Sequence, residues 1–111
     1  MVRIVTMLVV ALAAQTAAAA SEDDRRESAF RGKRIAEANC ATCHAIAQLD
    51  ASPLPAAPPL REIGRTIPAE RLRELMRGAV FAEHAVMPDF EPDEEQADDI
   101  ANYIRSIAED R

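Results

Sequence analysis

The run AEANCATCHAIAQ, residues 36–48, holds the only two cysteines of the chain, Cys40 and Cys43, and places His44 directly after the second. Whatever this chain folds into must put two thiols and an imidazole on a single turn. Four chemistries use such a turn: a redox dithiol, part of a zinc site, a structural disulfide, or a covalent anchor for haem. Each makes a different demand on the rest of the sequence.

The first demand concerns compartment. Residues 1–20 read MVRIVTMLVVALAAQTAAAA, with Arg3 as a positive start, an apolar run from Ile4 to Ala14, and Ala18-Ala19-Ala20 before Ser21. This is the pattern of a secretory signal peptide. A membrane-spanning helix needs about 20 mostly apolar residues, and Gln15 and Thr16 interrupt this run early. The sequence therefore predicts cleavage near Ala20, export to the periplasm, and one domain over residues 21–111 with no stable membrane insertion. Loss of Arg3 with the leader takes the formal charge from −6 to −7. An acidic chain lacks the basic surface that general nucleic-acid binding requires. With no Trp, one Tyr and three Phe, so short a domain has little with which to fill an interior, and something besides side chains is expected to help.

Three helical patterns follow. In ESAFRGKRIAEANC, Ala29, Gly32, Ala36 and Cys40 recur at helical spacing as a stripe of small residues. In PAERLRELMRG, Pro68 suits a first turn, Leu72, Leu75, Met76 and Ala79 share a face, and Gly78 is placed to stop the helix. In PDEEQADDIANYIRSIA, Pro92, Asp93, Glu94 and Glu95 favour a helix start, where the dipole is positive. Ala97, Ile100, Ala101, Ile104, Ile107 and Ala108 then make an apolar stripe with Tyr103 at its edge. Residues 21–27 are polar and expected to fray. DASPLPAAPPLREIG, residues 50–64, is too rich in proline for a regular helix or a central strand. VFAEHAVMPDFEP, residues 80–92, reads as a second loop. No alternating pattern of useful length suggests a strand, so the fold class is all-α.

Zinc would need four ligands. Cys40, Cys43, His44 and His84 make up the number, but their spacings match no common zinc pattern. A thioredoxin-like dithiol opens a helix after a strand, whereas this motif ends a helix. A disulfide across two intervening residues would staple little of the chain. Haem uses every part. In Cys-x-x-Cys-His each thiol adds to one vinyl group and the adjacent imidazole ligates the iron, and export suits that chemistry.

At this point the sequence resembles a small monohaem class I cytochrome c of the bacterial periplasm, over essentially all of residues 28–108. Gly32 resembles the glycine that lets the C-terminal helix approach the first, and Ile100, Tyr103 and Ile104 resemble the set packed against it. APPLREIGR resembles the family segment in which a backbone carbonyl, here that of Pro58, accepts the proximal His N–H; Leu60 would then pack on the haem. Met87-Pro88 resembles the axial-methionine loop. Ala36 stands where many relatives carry an aromatic, and Ala57 and Pro59 replace a Gly and an Asn. The resemblance implies three main helices with long loops around one covalent haem, bound through Cys40, Cys43, His44, Met87, Pro58 and Leu60, with His44 and Met87 on the iron. His84 is the rival to Met87, three residues earlier; Met76, on a helical stripe, reads as a core gap-filler.

With both axial positions filled by protein, the expected activity is one-electron transfer between redox protein partners by a monomer in transient complexes, not enzymatic catalysis. The alternatives are a haem enzyme or gas sensor with a labile sixth ligand, and a cytochrome subunit of a larger oxidase or dehydrogenase complex. Asp89, Glu91, Asp93, Glu94, Glu95, Asp98 and Asp99 form an acidic block that either steers docking or is a solvated helix face.

Overall fold

The computed structural model describes residues 2–79, 84 and 90–109. Its elements are α1 (Val2–Asn39), α2 (Leu60–Thr66), α3 (Ala69–Glu74), which runs into a π-helical turn (Leu75–Ala79), and α4 (Glu94–Glu109). No strand occurs among the described residues, so the all-α expectation holds. Two boundaries differ from the sequence reading. Residues 21–27 are helical rather than frayed: they continue α1, whose alanines and long charged side chains are good helix formers, and Asp23 and Arg26 pair across one turn at 3.9 Å. The proline-rich loop also ends sooner than expected. Pro59 sits at the N-cap of α2 and Leu60 begins it, because a proline disrupts a helix interior but not the residue before its first turn.

The core forms where α1 and α4 cross. Ala36, Ile100, Ala101, Tyr103, Ile104 and Ile107 are buried there together with Leu60 of α2 and Leu72 of α3. Leu72, Ile100 and Ile104 are fully enclosed, each contributing about 1.5–3 kcal/mol by leaving water. Met76 packs against this cluster, as a gap-filler would. The small-residue stripe explains how close the helices come. A Cβ built on Gly32 would lie 2.8 Å from Tyr103 Cβ and 2.5 Å from the carbonyl carbon of Asp99, and closer still to its oxygen. Gly64 plays the same part between α2 and α4, where a Cβ would meet the Ile104 carbonyl oxygen at 2.8 Å and Ala108 Cβ at 2.9 Å.

A polar clasp fixes the crossing. Asp99, 4% exposed, accepts from Ser28 Oγ at 2.6 Å and from Arg31 Nε and Nη2 at 3.0 and 3.1 Å. Asn102 Nδ2 donates to Ser28 Oγ at 2.9 Å. This buried acid is therefore fully partnered, as burial of a charge demands. The start of α4 is a capping box: Gln96 N–H donates to Asp93 Oδ1 at 2.8 Å and Asp93 N–H to Gln96 Oε1 at 3.0 Å. Asp93 thus acts through a specific bond as well as through the helix dipole.

Candidate functional site

α1 ends at Asn39, and the chain makes one further turn before leaving the helix axis. Cys40 N–H donates to Ala36 O at 2.8 Å, and Cys43 and His44 N–H both return to Cys40 O, at 3.2 and 2.9 Å. This wraps Cys40, Cys43 and His44 around a single turn, with both cysteines half-buried.

The loop beyond is held by its own polar residues. Asp50 accepts from the N–H groups of Ile46 and Ala47, both at 3.1 Å, and from Arg61 Nη1 at 3.3 Å. Ser52 Oγ accepts from Ala45 N–H at 3.0 Å. Ala45 is wholly buried, and its carbonyl accepts from Leu60 N–H at 3.0 Å. Tyr103 of α4 donates its hydroxyl to Ile46 O, so the core helix holds the loop two residues after His44. Asp50 and Ser52 escape a search for reactive side chains, although an Asp and a Ser beside prolines are the usual residues of such turns.

This scaffold brings Pro58 back to the imidazole. His44 Nδ1 lies 2.7 Å from Pro58 O. A carbonyl oxygen only accepts, so Nδ1 carries the hydrogen and Nε2 of the neutral ring keeps its lone pair. An N–H held in this way orients the ring and strengthens Nε2 as a donor to a metal. His44, Cys40, Cys43, Thr42, Leu54 and Pro58 line one cleft of about 540 Å³, with His84 also on its wall. That volume is in the range of cofactor clefts, about 300–1,000 Å³. Leu60 is 4% exposed within the core cluster and does not line the cleft. Met87 lies outside the described residues.

The geometry also weighs the rival chemistries. Both cysteines are free thiols. Burial pushes the Cys40 thiol up to about 11, the opposite of the lowered value that activates a redox dithiol. Among the described residues no three His, Cys, Asp or Glu side chains group as a metal site, so the zinc set of Cys40, Cys43, His44 and His84 does not assemble. A paired-thiol turn, an oriented imidazole and a mainly apolar wall fit a covalently anchored haem.

The surface charge is less uniform than the sequence suggests. Asp98 pairs with Arg77 at 3.6 Å and Arg73 at 3.9 Å, and Asp99 is taken up in the clasp with Arg31. Glu91, Asp93, Glu94 and Glu95 remain exposed, with Glu95 3.8 Å from Arg31. Beyond residue 20, no helix among the described residues is long and apolar enough to cross a membrane.

A family model described as "Cytochrome C oxidase, cbb3-type, subunit III" matches residues 27–104. No curated protein and no solved structure matches the chain. The matched segment begins one residue before Ser28 of the clasp and ends within α4, so it takes in the helix crossing and the whole cleft turn.

Proposed function

The chain belongs to the family described as cytochrome c oxidase, cbb3-type, subunit III, a c-type cytochrome domain with covalent haem that transfers electrons between redox partners, and from that premise we propose a periplasmic, single-haem, one-electron carrier. The observation that carries this reading is the His44–Pro58 contact, 2.7 Å long, on the cleft that both cysteines line. When bound, the haem supplies a reversible one-electron change at its iron. The chain's own residues do the rest. Cys40 and Cys43 would hold the haem through two thioether bonds, each thiol supplying the sulfur and the hydrogen that one vinyl group takes up. His44 presents Nε2 to the iron, with Pro58 as its positioning partner and Leu60 packing behind the turn. Met87 would supply the iron's second protein donor, a thioether, which would hold the potential higher than a second imidazole. Residues 1–20 direct export and are removed.

Two measurements test this. Acid–acetone extraction should leave the haem on the polypeptide, and its complete removal into the organic phase refutes covalent attachment. The oxidised protein should show a weak sulfur-to-iron band toward the red end of the spectrum that disappears in Met87→Ala. A band that survives the substitution rules out Met87.

The family description favours a second reading, a cytochrome subunit of an oxidase complex. Gentle solubilisation and native mass measurement of the tagged chain separate the two: a free carrier runs at its own mass, a subunit with its complex.

A further inference from the structure

His84 was the weaker of two sequence candidates for the iron, yet the structure sets it close to His44. Both side chains line the same cleft, and their ring centres are 6.4 Å apart with planes inclined by 35°. Direct ring stacking is offset or edge-to-face at centroid separations of about 4.5–7 Å, so the distance alone does not identify a partnership. The cleft that both residues line adds the second observation, because it is the one that would hold the family's cofactor. An imidazole holds a first-row metal about 2.0–2.1 Å from its nitrogen, so two rings on opposite sides of one metal have centres roughly 6–6.5 Å apart. The observed separation of 6.4 Å falls in that range.

We propose that His84 is an alternative axial donor for the position opposite His44, competing with Met87 for one place on the iron. The inference rests on the reading above that His44 is a ligand and adds a ligand that reading does not use. His44 is fixed by Pro58 and donates through Nε2, so its geometry is common to both states. Sequence distance makes the two candidates exclusive: His84 and Met87 are three residues apart, and only one coordination position lies opposite His44. The protein would then hold two ligand sets, one with a soft thioether and one with a second imidazole. The imidazole set has the lower potential. Exchange between them would change the driving force for electron transfer without changing the attachment of the haem.

The test uses the full-length holoprotein and reads ligation by electron paramagnetic resonance and absorbance, with carbon monoxide as the probe for an open position. If His84 is the reserve donor, Met87→Ala loses the sulfur-to-iron band but stays low-spin with a two-imidazole signature. It should bind carbon monoxide at least tenfold more slowly than Met87→Ala/His84→Ala, in which the position is open. A parent protein that already shows the two-imidazole signature, lost in His84→Ala, also supports His84 while removing Met87 from the carrier reading. A high-spin Met87→Ala that takes carbon monoxide as fast as the double variant overturns the inference and leaves the carrier intact. A parent whose iron is open to carbon monoxide overturns both readings together.

Discussion

Gly32→Ala adds one methyl group at the tightest point of the α1–α4 crossing. The new Cβ would stand 2.8 Å from Tyr103 Cβ and inside contact distance of the Asp99 carbonyl, whereas carbon atoms pack best at about 3.5–4.0 Å. Asp99 cannot step aside cheaply, since its carboxylate is held by Ser28 and twice by Arg31. The helices must therefore part by roughly 1 Å, and a gap of about 0.5–1 Å forfeits a quarter to a half of each dispersion contact along the crossing. Overpacking of this kind costs about 1–3 kcal/mol. Against it stands the usual gain of about 0.5–1 kcal/mol for Gly to Ala in a helix. The steric cost wins, leaving a net loss of about 1–2 kcal/mol for Ala and more for Val. In a domain of this size about 1 kcal/mol moves Tm by roughly 4–8 °C. Urea and thermal unfolding of the holoprotein measure it, with exposed Lys33→Ala as the control expected within about 0.5 kcal/mol of the parent. A Gly32→Ala protein with an unfolding midpoint at or above the parent's would refute the close-approach argument.

Gly64→Ala should also destabilise, but by less, about 0.5–2 kcal/mol, because α2 has only two turns and can shift against Ile104 and Ala108. Tyr103→Phe should lose about 1 kcal/mol at neutral pH with the hydroxyl's bond to Ile46 O. Burial chiefly, with Glu37 and Asp50 adding to it, raises the Tyr103 phenol above its ordinary value of 10.0. The unfolded chain then gives up this proton first, so parental stability should fall as pH rises above about 10, and Tyr103→Phe should lack that component in a pH series of urea midpoints. Exposed acids steering a basic partner predict association that slows as salt rises. Glu91→Gln with Glu94→Gln should lower the low-salt rate in stopped-flow more than Asp98→Asn, whose charge Arg73 and Arg77 already offset; equal effects would argue against steering by the exposed set.

The helices that carry the core were legible because their periodicity is strong: the stripe from Ala97 to Ile107 is buried as its spacing indicates, and Gly32 sits at the crossing. The Cys40–His44 turn was legible because its chemistry is local. What escaped was tertiary in origin. Seven residues from Leu60 to Thr66 form α2, too short for periodicity to announce after so many prolines. Asp99 reads as one more surface acid in an acidic run, and only the position of Ser28, 71 residues away, makes it internal. His84 ranked behind Met87 as a ligand because no local pattern ties it to His44. Leu60 lies in the core, where its amide supports the loop that carries Pro58.

The Ser28–Asn102 bond joins residues 74 apart, so the clasp closes nearly the whole domain and has a meaning in time as well as space. The polypeptide is made from its N-terminus, and α1 has no partner for its Gly32 face until α4 exists. Closing so long a loop also carries an entropic cost that earlier segments cannot offset alone. Until that loop closes, Cys40 and Cys43 belong to an open chain and are accessible for covalent attachment. A chain ending before Glu94 should accordingly still acquire covalent haem yet unfold without a cooperative transition.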